Sequence, residues 1–323
     1  MWVKGMSQNF EGTKSDREIV SAISGRQRLV KLTNFLTLVA FLGIPICPVS
    51  GFMNLELNPV KGVVLLALTV VCVLMCIFLG KSSNKLTAKI KELAGQYIVR
   101  GVLAEKVDIV EYSPNSYINE KFVKGCQILP KYNRIHGSDY TSGNYRGRKF
   151  TYCDLLLEWE IEDRDGDSQT TTQFKGQFMK MELGKDIGGF VRLRERKNPR
   201  KSKGFFANIL GIGNSHNSIE TENAAFNNQF EIKTSDDQLA FYILTPQFME
   251  SVMRLDKLAD GYTNIEFRDT SVVVTLNNGR DSFEVNKTLR SRKKLERYRQ
   301  RFRDELEVIL KVFDEVLTKE NLF

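Results

Sequence analysis

Two stretches decide the fold: LTNFLTLVAFLGIPICPVSGFM (Leu32–Met53) and GVVLLALTVVCVLMCIFLG (Gly62–Gly80). Neither contains a charged residue. A bilayer core of about 30 Å is crossed by about 20 apolar residues in helical form. Both stretches meet that length and lack the amphipathic pattern of a helix packed into a soluble core. A cleaved signal peptide is not expected, because the first run starts far in, is long, and is followed at once by a second. Pro45 and Pro48 are expected to end or kink the first helix near its far end.

Charge at the flanks sets the expected orientation. Arg26, Arg28 and Lys31 precede the first stretch, and Lys81, Lys85, Lys89 and Lys91 follow the second. The loop Asn54–Lys61 carries only Glu56 and Lys61. The expectation is a multi-pass cytoplasmic-membrane protein with both termini in the cytoplasm and the loop outside. Of five cysteines, Cys47, Cys72 and Cys76 lie in the apolar stretches, leaving Cys126 and Cys153. That is no disulfide framework and suits a reducing compartment.

Residues 1–31 read as a polar cytoplasmic tail, in which Ser15–Ile19 could start a short helix ending near Gly25. The hairpin occupies residues 32–80. A connecting helix is expected over 81–106, capped by Ser83 or Asn84, with Leu86, Ile90, Leu93 and Tyr97 on one face. It would hold the following domain against the bilayer.

Residues 107–288 read as an α+β domain with a mostly antiparallel sheet. Strands are expected over 107–112, Phe122–Leu129, Phe150–Ile161, Thr170–Met181, Val191–Arg194 and Gln238–Leu244. Further strands are expected at Ile265–Phe267, Val272–Leu276 and Phe283–Val285, the last two joined by a turn at Asn278-Gly279. His136–Gly147 reads as turn-rich. Thr245-Pro246 supplies a capping hydroxyl and a proline for the first helical position, with Phe248, Val252 and Leu255 on the buried face. A long helix over 289–323 closes the chain, its stripe running Leu295, Tyr298, Phe302, Leu306, Ile309, Phe313 and Leu317.

The order of certain signals resembles a known family. Gly137-Ser138-Asp139 comes first, followed by Gly143 and Gly147. Phe174-Lys175-Gly176-Gln177-Phe178 comes next, then Glu220-Thr221-Glu222 before Phe226 and Phe230, and finally Tyr242–Pro246 with Phe248-Met249-Glu250. With two apolar stretches ahead of it, this pattern resembles the bacterial membrane proteins of the DUF3137 family over roughly Asn84–Lys257. The resemblance implies no activity. It implies a LemA-like membrane protein as a partner, because the two are often encoded together.

The search for chemistry gives little. Two histidines, His136 and His216, and two cysteines outside the spans have no metal-ligand spacing, so no metal or other cofactor is expected. Asp163–Asp167 departs from a calcium loop because Gly166 precedes Asp167, and neither a phosphate loop nor a nucleophile elbow is present.

Two basic clusters stand out. Arg194, Arg196, Lys197, Arg200, Lys201 and Lys203 run into Phe205, Phe206, Ile209 and Leu210, a pattern suited to membrane-surface contact as well as to a solvated loop. Residues Lys287–Arg303 hold nine basic residues and one acidic, Glu296. There, Arg290, Arg292, Lys293, Lys294 and Arg297 oppose the helix dipole and suit an acidic partner or lipid. Nucleic acid is set aside for want of a recognition motif.

The expectation is therefore a non-enzymatic, membrane-anchored scaffold or assembly protein that binds the bilayer and a LemA-like protein, with a homo-oligomer left open. The alternative is a membrane-tethered enzyme or ligand sensor with a pocket near His136, Asp139 and Cys153.

Overall fold

The computed structural model describes residues 16–55, 58–162, 167–196, 218–279 and 291–318. They fall into two compact units, Met1–Tyr97 with Val285–Arg297, and Ile98–Glu284 with Tyr298–Phe323.

The first unit is built on two adjoining helices, α1 (Asp16–Leu55) and α2 (Pro59–Ala94), both long and apolar enough to cross a membrane. Their seam is lined by small residues, which let two backbones approach closely. A Cβ added to Gly43 would meet Cys72 Sγ at 3.0 Å, and one added to Gly51 would meet Leu66 at 3.1 Å and the Gly62 carbonyl oxygen at 3.2 Å. The Cys76 thiol points at the Thr37 carbonyl oxygen, 3.7 Å away. Large side chains face outward instead: Phe35, Phe41 and Phe52 on α1 and Val70, Leu74 and Phe78 on α2 are exposed.

Helix α1 does not end at Pro45 or Pro48 and runs through both to Leu55; a proline removes one intrahelical bond, and a neighbouring helix can hold the turns around it. Two expectations about this unit are corrected. No short helix ends at Gly25, because α1 starts at Asp16 and runs through that glycine into the apolar stretch. No new helix is capped at Ser83 or Asn84 either. Ser83 is buried inside α2, and its hydroxyl donates to Asn34 Oδ1 on α1 at 2.7 Å. The helix therefore continues about 20 Å past Gly80, at 1.5 Å per residue, before Ala94. The connector expected over 81–106 is thus an extension of α2 and not a separate helix. A π turn, Gly95–Val99, and a short α3 (Arg100–Leu103) complete the path.

Among the described residues, the second unit holds one sheet of nine strands in the order β1-β2-β3-β4-β9-β8-β5-β7-β6. The strands are β1 (Asp108–Ser113), β2 (Arg134–Tyr145), β3 (Arg148–Glu162), β4 (Ser168–Glu182), β5 (Phe190–Glu195), β6 (Ser218–Ile219), β7 (Phe230–Thr234), β8 (Tyr262–Arg268) and β9 (Ser271–Asn277). Every pairing is antiparallel. The remaining described helices are α4 (Glu120–Gly125), α5 (Ala224–Gln229), α6 (Asp237–Ile243), α7 (Pro246–Ala259) and α8 (Arg292–Leu317).

Alternation along the strands builds two buried faces. On one, Phe150 and Tyr152 of β3 meet Phe313 and Phe302 of α8 edge to face, and Phe267 of β8 packs against Phe248 of α7. On the other, Cys153, Leu155, Leu157, Phe174, Phe178 and Val273 pack with Val123, Ile128 and their neighbours around α4. The C-terminal stripe is buried from Phe302 to Phe313, although Tyr298 is exposed. Thr245 caps α7 through Phe248 N–H, with Pro246 at the first helical position as expected.

The sheet differs from the sequence reading at four places. Phe122–Leu129 is not a strand: Asn119 caps α4 there, its side chain accepting from Lys121 N–H. Gln238–Leu244 is not a strand, because Asp236 accepts from Gln238 and Leu239 N–H and starts α6. In both cases an Asx cap just upstream outweighed a short apolar run. His136–Gly147 is mostly β2 itself, with the turn confined to Arg146-Gly147, both at positive φ. The strand β9 returns to β8 through Asp269-Thr270, so its hairpin partner precedes it. The expected strand Phe283–Val285, together with Leu289 and the Asp163–Gly166 turn, lies outside the described residues.

Candidate functional site

The basic residues at the charged ends of the apolar helices form the first group. On α2, Lys81, Lys85 and Lys89 recur every four residues and so share one face; all three are exposed, as are Arg28 and Lys31 on α1. The same compact unit includes the first turns of α8, where Arg292, Lys293, Lys294 and Arg297 are exposed around the buried Leu295. Arg290 lies outside the described residues.

The second basic cluster is divided. Arg194 donates to the Gln127 carbonyl oxygen. The Arg196 guanidinium donates to the Asn227 carbonyl oxygen at 3.4 Å. Both brace loops within the sheet unit. Lys197, Arg200, Lys201, Lys203, Phe205, Phe206, Ile209 and Leu210 lie outside the described residues.

Beside Arg194 lies a group the sequence did not single out. Glu266 is 1% exposed and pairs with Arg192 at 2.7 Å. It also accepts from Gln127 N–H at 3.2 Å, and Arg268 donates to the Gly125 carbonyl oxygen. Strand register explains the assembly, since Arg192 is the direct cross-strand partner of Glu266. These groups fasten the end of α4 to the sheet.

The three side chains named for an enzyme or sensor do not converge on one surface. His136 is exposed, 3.8 Å from Glu158 on the neighbouring strand. Asp139 is fully buried and accepts from the Tyr112 hydroxyl at 2.8 Å. It sits in a bulge of β2 at φ 58°, a conformation that Asp tolerates better than most residues. Cys153 is fully buried on the apolar face, where loss of hydration pushes its thiol pKa far up. A thiol held protonated in this way is not a nucleophile at neutral pH.

Two buried polar groups went unnoticed in the sequence. Under α8, Gln177 of β4 donates to Glu305 Oε2 at 3.0 Å, Glu305 also accepts from Arg301 at 3.1 Å, and the Tyr152 hydroxyl donates to Asp154 Oδ1 at 3.1 Å. At the end of β5, Glu195 meets Asp256 of α7 side chain to side chain. Thr263 N–H donates to Glu195 Oε2 at 2.8 Å, and Gln229 donates to Asp256 Oδ2. Burial first and the Asp256 contact second raise the Glu195 pKa to about 8. Two carboxyl groups in contact cannot both ionise cheaply, so the pair retains a proton. One signal was available: Asp256 lies four residues after Val252, on the face that packs inward. Its partner, 61 positions away, left no local trace. Among the described residues, no group of three or more His, Cys, Asp or Glu side chains is arranged to hold a metal.

Comparison with known proteins finds a family match over part of the chain and no activity. The sequence model of the family described as "Protein of unknown function (DUF3137)" matches residues 172–317. The matched stretch starts later and ends later than the resemblance noted above, so Gly137, Gly143 and Gly147 fall outside it. Many residues that carried the resemblance are architectural. A Cβ on Gly176 would overlap the Leu276 carbonyl oxygen, Phe174 and Phe178 fill the core, and Phe226 stacks on Phe230. No curated protein matches the chain. A solved structure, "crystal structure of the mycobacterial trehalose monomycolate transport factor A, TtfA", is similar over 67% of this chain and 95% of that chain, with 10% identity and a TM-score of 0.34. Similarity at that level carries no argument.

Proposed function

From the premise that residues 172–317 match the DUF3137 family, we propose that this protein is a non-enzymatic scaffold anchored in a bacterial cytoplasmic membrane. In this reading α1 and α2 cross the bilayer as a hairpin, both termini are cytoplasmic, and the sheet unit binds another membrane protein. The observation that carries the reading is the outward-facing apolar surface of the two adjoining helices. Apolar area of that extent is sheltered by lipid or by another protein, and the small-residue seam suits helix packing in a bilayer.

Partner binding is supported by the β3–β4 hairpin. Strand β4 pairs with β9 only over Gln177–Glu182, so the hairpin extends past that neighbour. Trp159 and Ile161 are exposed there at 38% and 59%. Aromatic and aliphatic side chains presented in this way are typical anchors for a protein partner. Family resemblance makes a LemA-like membrane protein the first partner to test.

The test joins topology to binding. Green fluorescent protein fused after Phe323 should fluoresce, and alkaline phosphatase inserted at Asn58 should be active. A photo-cross-linking residue at Ile161 of the full chain should trap a co-expressed LemA-like protein. An active phosphatase after Phe323 would overturn the topology. Absence of cross-links from Ile161, together with failure to co-purify, would overturn the partner assignment.

A further inference from the structure

We propose that the inner end of the helical hairpin is a binding surface for anionic phospholipid headgroups, formed by Arg28 and Lys31 on α1 and by Lys81, Lys85 and Lys89 on α2. The inference rests on the membrane reading of α1 and α2, and it names the chemistry that the hairpin meets at the leaflet.

The sequence changes from apolar to basic abruptly at both helices, between Lys31 and Leu32 and between Gly80 and Lys81. From Arg26 to Lys31 and from Lys81 to Lys91 there is no acidic residue; the nearest acids are Glu18 and Glu92. A helix ending at this boundary would offer the headgroups only its terminal side chains. Both helices instead continue beyond it, joined by the Ser83–Asn34 hydrogen bond of 2.7 Å. The lysines are therefore carried on a regular scaffold that stands out of the apolar layer.

Helical rise places each lysine. Four residues advance the helix by about 6 Å, so Lys85 stands about 6 Å and Lys89 about 12 Å beyond Lys81. The headgroup layer is about 5–7 Å deep on each side of the hydrocarbon core. Lys81 and Lys85 fall within it. Lys89 lies within about 8 Å of its outer edge, the Debye length at physiological salt, and its long stem can reach back toward it. None of the five side chains makes an ion pair among the described residues, so no described carboxylate neutralises their charge. An acidic protein segment shares the required charge. Lipid is favoured because the stripe begins at the apolar boundary, where the leaflet surface is always within reach.

The test uses the full chain reconstituted in phosphatidylcholine vesicles, with spin-labelled phosphatidylglycerol or spin-labelled phosphatidylcholine as the probe. The motionally restricted lipid fraction should favour phosphatidylglycerol by about fivefold, the factor expected of one lysine held near an anionic surface. Selectivity should fall toward parity in K81Q/K85Q/K89Q, in which glutamine keeps comparable helix propensity, and in about 1 M salt. Parity in the unaltered chain, or full selectivity in the triple variant, overturns the inference. Parity combined with lysine-dependent binding of a polyglutamate peptide assigns the surface to a protein partner instead. Alkaline carbonate extraction separates the two readings: release of the chain from vesicles defeats the membrane reading itself, whereas a retained chain with lipid parity defeats only the headgroup inference.

Discussion

Replacing Glu195 by Gln should make the sheet unit less sensitive to alkaline pH. In the folded chain Glu195 meets Asp256, and its pKa is raised from 4.5 to about 8. The folded state therefore holds a proton across a range in which the unfolded chain has released it. Stability that depends on this proton is complete below about pH 4.5, declines through the interval, and is lost as pH rises through about 8. A full shift of this size would correspond to about 5 kcal/mol at about 1.4 kcal/mol per unit. Glu195 is only half-buried, so solvent screens the interaction, and about 1–2 kcal/mol is the realistic magnitude. Glutamine can still accept from Thr263 N–H, and its amide can donate to Asp256 Oδ1, a buried atom with no hydrogen-bond partner among the described residues. For a unit of this size, 1–2 kcal/mol corresponds to roughly 2–8 °C in Tm. Thermal unfolding of the full chain in detergent, followed by near-ultraviolet circular dichroism from pH 5 to 9, reads the effect. The unaltered chain should lose Tm as pH rises from 5 to about 8 and then level off, while E195Q stays flatter, so that the variant is the more stable of the two at pH 9. Parallel pH profiles would refute the proton-sharing pair.

Three further outcomes follow from the interior. Arg192→Leu should destabilise the sheet unit by about 3–5 kcal/mol because it leaves Glu266 buried beside only weaker partners, whereas Arg192→Leu with Glu266→Leu should cost distinctly less; chemical denaturation of the two variants decides this. Cys153, fully buried with its thiol pKa raised, should resist iodoacetamide at pH 8 in the folded chain and react once denatured, as peptide mass spectrometry would show. Gly51→Leu should disrupt the α1–α2 seam, because its Cβ alone would stand 3.2 Å from the Gly62 carbonyl oxygen; a lower Tm in detergent than that of the exposed control Phe52→Leu is the expected readout.

Packing accounts for part of the stretch that matches the family. Within residues 172–317, Gly176 admits a close strand crossing, Phe174 and Phe178 fill one face, and Gln177 reaches Glu305 beneath α8. These residues hold the sheet and α8 together.

Sequence alone determined the elements whose signal is local. Two uncharged stretches gave the helical pair, alternating apolar residues gave β3, β4, β8 and β9, Thr245-Pro246 gave the start of α7, and a helical stripe gave α8. Each is a period or a cap that lies within a few turns of chain. Short apolar runs were misread at α4 and α6, because a period of two and a fragment of a helix look alike over seven residues. Only the tertiary structure decided which charges are buried and with whom. Arg192 finds Glu266 through strand register, Glu195 finds Asp256 through helix-on-sheet packing, and Asp139 turns inward at a bulge. Those partners lie tens of residues apart, so their pairing depends on strand order and not on any neighbouring residue. The same holds for Ser83, which reads as a helix cap in the sequence and in the fold joins two apolar helices where their charged ends begin.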